Sequence, residues 1–179
     1  ELSYFTKIYQ KVEDFRFAPV KASYFFAECI SGMSLDLETR NIQLLYQCDV
    51  GEDVEIVIDE EKIKRVVANI VGNAVKYIQR EQGMILVNVE DQGSFIQVMI
   101  RDNGKGIGKE ELPFIFERFY RTDSSRNSRT GGSGLGLAIA KKIMDEHGGR
   151  IWAESELGKG TEVYFTLKKE TEQKEEHDE

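Results

Sequence analysis

The stretch that decides how this chain is read is RTGGSGLGLAIAKKI, residues 129–143. Glycines stand at Gly131, Gly132, Gly134 and Gly136, and an apolar run suited to a helix follows at once. Glycines opening a helix suggest an anion site, because bare amides and the positive helix end face the ligand. The dinucleotide fingerprint and the P-loop both place their glycines directly after a buried strand. Here the preceding residues, RTDSSRNSRT, are polar and charged, and no Gly-Lys-Ser or Gly-Lys-Thr follows. Neither of those phosphate sites fits, so the meaning of the glycines depends on what surrounds them.

The chain has 179 residues, enough for one domain with flanking pieces and a sizeable core. Apolar residues make up 40% and charged residues 31%, a soluble globular balance. Of the net charge of −8, five units lie in the last ten residues, ETEQKEEHDE, where six acids face one lysine. That segment reads as a solvated, disordered tail over 169–179. The remaining −3 argues against a nucleic-acid surface. Cys29 and Cys48 form no metal-binding spacing and sit among apolar neighbours, as small core residues of a reducing compartment do. No apolar run reaches the roughly 20 residues that span a bilayer, and no secretory leader is evident. The chain starts in mid-pattern: Leu2, Phe5, Ile8, Tyr9 and Val12 have helical spacing, as at the end of a helix from a preceding domain.

Pro19 ends that first segment, and VKASYFFAECISGMSLDLETRN follows as a helix weakened by Gly32. IQLLYQCD and VEIVID are strand candidates. Asp59 caps a long helix over 60–80 whose apolar face is Ile63, Val66, Val67, Ile70, Val71, Ala74 and Tyr77. MILVNVED and FIQVMIRD are strands joined through Gln92-Gly93. A short helix is expected over KEELPFIFERF, then the glycine-opened helix through His147, then strands RIWAES and TEVYFTLKK. Helices with adjacent strand pairs predict an α/β two-layer sandwich with a mixed, mostly antiparallel sheet on about three helices.

Three further motifs carry chemistry. In NIVGNAVKY, Asn69, Asn73, Lys76 and Tyr77 share one helical face. An amide oxygen is a hard ligand suited to Mg²⁺, and an ammonium suits phosphate. In DNGKGI, Asp102 ends a strand and can accept from an exocyclic amine, while Gly104 and Gly106 allow close approach of a ring. GKGT offers a tight turn and the Thr161 hydroxyl. Singly, these are a polar helix face, a common turn and a hairpin.

Together, NIVGNAVKY, DNGKGI, FERFYR, GGSGLGLAI and GKGT resemble the N, G1, F, G2 and G3 boxes of the catalytic, ATP-binding domain of bacterial sensor histidine kinases. The likeness covers about residues 18–168 and implies a Bergerat fold, with the opening stretch as the end of an ATP lid. It also implies a role for each position. Asn73 would hold Mg²⁺, with Asn69 one turn away at the phosphate end. Lys76 would meet phosphate oxygens, and Tyr77 would pack near the adenine. Asp102 would accept from the adenine amine, sharing a water with Thr161, and Gly104, Gly106 and Ile107 would line the ring. Tyr120 and Arg121 of FERFYR would face the nucleotide, Arg121 reaching the γ-phosphate. Phe116 and Phe119 would anchor the lid, residues 122–133, which lacks apolar anchors and should be mobile without nucleotide. Gly132, Gly134, Leu135, Gly136 and Leu137 would present amides to the phosphates. Lys76, Arg121 and Asn69 are the catalytic candidates. The family's usual threonine after Lys-Tyr is Ile78 here.

The resemblance implies γ-phosphate transfer to a histidine on a dimerisation domain outside this chain, a response regulator as partner, and no nucleic acid. It further implies a monomeric fragment of a homodimeric kinase, cytoplasmic, whose parent is anchored in the membrane in most relatives. Two rivals share the fold. Hydrolases and serine kinases carry a general-base glutamate where this chain has Asn69, and an amide takes no proton at neutral pH. A degenerate nucleotide sensor would have lost motif residues that are all present. Of the two histidines, His147 ends a helix before a glycine and suits a structural, dipole-facing role, whereas His177 lies in the acidic tail.

Overall fold

The computed structural model describes residues 14–118, 120 and 136–170. Strands run Ala18–Lys21 (β1), Ile42–Asp49 (β2), Glu55–Ile58 (β3), Gly83–Asp91 (β4), Phe95–Asp102 (β5), Ile151–Glu156 (β6) and Gly160–Lys168 (β7). Helices run Ala22–Thr39 (α1), Glu60–Tyr77 (α2) and Gly136–Glu146 (α3). The main sheet has the order β2-β4-β5-β7-β6. Only β2 and β4 pair in parallel, across the crossover that contains α2, and the other neighbours are antiparallel. The three helices pack against this mixed sheet, which is the two-layer arrangement expected.

Period-two alternation builds the core. On β5 the residues Ile96, Val98 and Ile100 are buried, and on β7 Val163, Phe165 and Leu167 are. Both rows meet Val66, Ile70 and Ala74 of α2 and Ile139, Ile143 and Met144 of α3 in one cluster. Counting two residues on from Ile100 puts Asp102 at the end of the same inward row, and two back from Val163 puts Thr161 at its start.

Several boundaries differ from expectation. Val20 and Lys21 do not open α1: they belong to β1, which pairs antiparallel with β3 in a separate two-stranded ribbon. Pro19 lies within β1, where having no N–H matters little because only one side of the strand is paired. The helix expected over 109–119 is reduced to one 3₁₀ turn, Leu112–Phe114. Pro113 has no N–H to give, and the local bonds close over three residues, Phe114 N–H to Glu111 O at 2.9 Å and Glu117 N–H to Phe114 O at 2.9 Å. α2 stops at Tyr77 and not at Arg80, because Ile78 is extended and Lys105 N–H takes the Tyr77 carbonyl at 3.1 Å. Gly32 does sit inside α1, facing open space, where it costs about 0.5–1 kcal/mol relative to alanine. Cys29 and Cys48 are free, half-buried and packed against the core.

The flanks are tied more closely than expected. Phe15 and Phe17 stack at 5.8 Å and present their rings to His147. Arg16 N–H donates to Asp59 Oδ2 at 2.8 Å, while Asp59 Oδ1 caps α2 through Lys62 N–H. Lys169 bridges to Ile56 and pairs with Asp91 at 2.6 Å. Residues 1–13 and 171–179 lie outside the described residues.

His147 is structural, but not as a cation on the helix dipole. Its Nε2 accepts from Asp59 N–H at 3.1 Å, so Nδ1 carries the proton and donates to Ile143 O at 2.8 Å. Burial pushes the imidazole below its ordinary value of 6.5, against the hydrogen bond to Ile143 and the charges of Asp59 and Glu146. The unfolded chain therefore takes up this proton first as pH falls. The stability from neutral His147 is whole above about pH 6.5 and drains away as pH drops toward the depressed folded value. Urea unfolding at pH 7.5 and 5.5 should show a larger acid loss for the wild type than for His147→Gln. Equal losses would contradict this.

Candidate functional site

Asp102 sits at the C-terminal end of β5, 7% exposed, where the inward row of the sheet runs out. Its Oδ1 accepts from Gly104 N–H at 2.8 Å, and Thr161 N–H also donates to the carboxylate. Burial raises its pKa above the ordinary 3.8, and the two amide bonds oppose that rise. The result is a desolvated acceptor, orientated by backbone donors.

Three adjacent strands deliver polar groups to this one end. Thr161, 6% exposed, begins the inward row of β7. The β6–β7 register puts Ser155 opposite Thr161, with their hydroxyl oxygens 2.8 Å apart. Ser155 also accepts from Ile107 N–H at 2.7 Å and donates to Gly160 O at 2.9 Å. It was not among the expected site residues. The available signal was hairpin arithmetic: pairing outward from Gly158 sets Ser155 against Thr161.

The loop after β5 is clamped on both sides. Lys105 N–H donates to Tyr77 O, Gly158 N–H donates to Lys105 O at 2.8 Å, and the Lys105 ammonium lies 4.9 Å from the Tyr77 ring centre. Gly106 has φ +78°, and a Cβ there would fall 2.2 Å from Glu156 O. At Gly160, φ is +126°, and a Cβ would fall 2.0 Å from Asp102 O. A Cβ on Gly104 would meet Tyr77 O at 2.7 Å. The glycines expected to admit a ring are thus first required by backbone packed on backbone.

Among the helical residues, Asn69 donates through Nδ2 to Gly136 O at 2.9 Å, tying the middle of α2 to the start of α3. Leu137 is buried beside it. Asn73, one turn on, is half-buried, and Lys76 is exposed in the last turn. Ile107 is buried, and Tyr120 is half-buried with its ring tilted against Phe114 at 5.9 Å. Phe116 packs against the core. Arg121, Gly132, Gly134, Leu135, Phe119 and the lid over 122–133 lie outside the described residues. So Asp102, Gly104, Gly106, Ile107 and Thr161 form one group at the sheet end, with Tyr77 joined to it through Lys105. Asn69 and Gly136 form a second group where α2 and α3 meet.

The residue order and this geometry agree with a sequence family described as Histidine kinase-, DNA gyrase B-, and HSP90-like ATPase, whose model matches residues 58–171. The chain belongs to this family. Within it, the relatives are sensor histidine kinases. WalK of Bacillus subtilis (strain 168) is 43% identical over 129 residues, 71% of this chain and 21% of the relative. YkoH of the same organism is 38% identical over 153 residues, 76% of this chain and 33% of the relative. The chain therefore spans between about a fifth and a third of these curated relatives. Among solved structures, the catalytic domain of histidine kinase ThkA superposes with a TM-score of 0.72 at 30% identity, covering 86% of this chain and 95% of that one. ThkA in complex with the response regulator TrrA gives 0.70 at 27% identity, covering 93% and 48%. Full-length ShkA in complex with AMPPNP shares the fold, with a TM-score of 0.74 at 24% identity over 93% of this chain and 35% of that one. The histidine kinase catalytic domain and the Bergerat fold expected from the motifs are what these likenesses show. No described helix is long and apolar enough to cross a membrane.

Proposed function

We propose that this domain binds ATP with Mg²⁺ and passes the γ-phosphate to a histidine on a dimerisation domain of its parent protein, which in turn serves a response regulator. The observation that carries the nucleotide reading is the buried Asp102 carboxylate, held by the Gly104 and Thr161 amides and flanked by the Thr161 hydroxyl. A desolvated acceptor fixed in this way suits an exocyclic amine, as adenine has. The complexes of ShkA with AMPPNP and of ThkA with TrrA support the extension to ATP and to a response regulator.

The metal reading rests on Asn73. Among the described residues no three His, Cys, Asp or Glu side chains gather as a metal cage. Mg²⁺ commonly keeps few protein ligands and takes the rest from phosphates and water, so a single amide oxygen from Asn73 would suffice as its protein ligand. When bound, the ion would neutralise phosphate charge. Asn69, with its Nδ2 spent on Gly136 O, would fix the helix pair behind it, and Lys76 would supply a cation to the phosphates. Neither amide can serve as a general base, so activation of water by this helix is not expected. By the resemblance, Tyr120, Arg121, Gly132, Gly134 and Gly136 would be further nucleotide contacts.

Calorimetry tests both parts. Mg·ATP and ADP should bind and GTP should not. Asn73→Ala should weaken Mg·ATP by about tenfold, yet leave Mg²⁺-free ADP within about twofold, because the amide acts through the ion. Equal losses with and without Mg²⁺ would remove Asn73 from the metal site, and equal affinity for GTP would remove Asp102 from base recognition.

A further inference from the structure

We infer that Ser155 sets the hydrogen-bonding sense of the base-recognition pair, making Thr161 an acceptor only, and is thereby a positioning residue for the choice of adenine over guanine. The inference deepens the ATP reading and rests on it. A serine hydroxyl has one proton and two lone pairs. Ser155 Oγ has three neighbours: Ile107 N–H at 2.7 Å, Gly160 O at 2.9 Å and Thr161 Oγ1 at 2.8 Å. A carbonyl can only accept, so the Ser155 proton goes to Gly160 O. An amide N–H can only donate, so Ile107 occupies one lone pair. The other lone pair is left for Thr161, which must donate to it. This is the one proton arrangement that satisfies all three contacts.

The consequence falls on the ligand side. With its single proton committed to Ser155, Thr161 can only accept from a base or from a bridging water. Asp102 beside it accepts as well. Two acceptors at the closed end of a site match an exocyclic amine, directly or through one water, and oppose the carbonyl that guanine carries at the same ring position. A site whose polar groups are fixed discriminates by leaving the wrong partner unpaired. Without the Ser155 hydroxyl, Thr161 is free to turn its proton outward and to greet an acceptor. The Ile107 amide and the Gly160 carbonyl, one in the loop after β5 and the other at the start of β7, would also lose their common partner.

The test compares ATP and GTP binding by calorimetry for the wild type, Ser155→Ala, Ser155→Cys and Ser155→Thr. The alanine variant should bind ATP about fivefold more weakly and show an ATP-to-GTP affinity ratio at least about fivefold smaller than the wild type. Cysteine, a weak donor and acceptor, should move the ratio the same way, and threonine, which keeps the hydroxyl, should hold it within about twofold. These outcomes support the assignment. ATP and GTP losing affinity by the same factor, with the ratio unchanged in both the alanine and cysteine variants, would overturn it. A wild type that binds neither nucleotide would overturn the ATP reading itself and this inference with it, and is told apart by the first titration.

Discussion

Gly160→Ala is expected to lower the stability of the domain by about 2–6 kcal/mol and to abolish measurable ATP binding. Two independent costs meet at this residue. Its φ of +126° lies where a side chain is strained, which costs about 1–3 kcal/mol. A Cβ there would also stand 2.0 Å from Asp102 O, a backbone atom that no rotamer change can move aside. Overpacking of this kind costs about 1–3 kcal/mol more. The relief available is to push β5 away from β7 at Asp102, and that displaces the carboxylate from Thr161 N–H. Denaturant unfolding and nucleotide titration of the same preparation check both halves. Gly158→Ala is the contrast, since its φ of +83° carries strain while its Cβ would meet open space. It should cost less stability and spare ATP binding.

Asp102→Asn is expected to reduce ATP affinity by about 5–150-fold, the equivalent of 1–3 kcal/mol for a mispaired buried group. The carboxylate accepts from two protein amides, Gly104 N–H and Thr161 N–H, and keeps lone pairs for a ligand. Asparagine replaces one oxygen by a donor. If its NH₂ turns to the protein it faces an N–H, and if it turns to the ligand it faces the adenine amine. Either orientation sets donor against donor. Calorimetry on the folded variant, with circular dichroism to confirm the fold, reads the loss. An affinity within twofold of the wild type would remove Asp102 from the recognition of the base.

Much of this was legible in the sequence because the deciding signals are local. The inward row Ile96, Val98, Ile100 announces a strand, and its continuation to Asp102 says where a carboxylate emerges. Asp59 before an acidic first turn announces the start of α2, and its cap to Lys62 is there. What stayed hidden depends on partners distant in sequence. β1 has Pro19 at its centre and is a strand only because β3, more than thirty residues on, pairs with it. Ser155 is a plain strand serine until the sheet brings Ile107, Gly160 and Thr161 around it. Gly104 and Gly106 read as room for a ligand and Gly160 as a tight turn, but the nearest neighbours are backbone atoms of other segments, which no short motif reveals. The position of His147 at the end of a helix suggests a cation on the dipole, but its ring is neutral and held by two hydrogen bonds. The Asp59 amide that fixes its tautomer lies 88 residues away.

The proposed transfer of phosphate also has a geometric basis. The sequence holds two histidines. Both ring nitrogens of His147 are engaged, and α3, 11 residues long, sets it about 16 Å from Gly136 and the proposed phosphate end. Transfer requires an imidazole in line with the γ-phosphate and close to it. The most direct measurement is incubation of this chain with γ-labelled Mg·ATP, alone and together with the parent protein's segment preceding residue 1, proposed to be a helical hairpin bearing the acceptor. The account predicts no label on the chain alone, and acid-labile label on a histidine of the hairpin when both are present. Stoichiometric acid-labile label on the chain alone, lost in His147→Ala or His177→Ala, would contradict it.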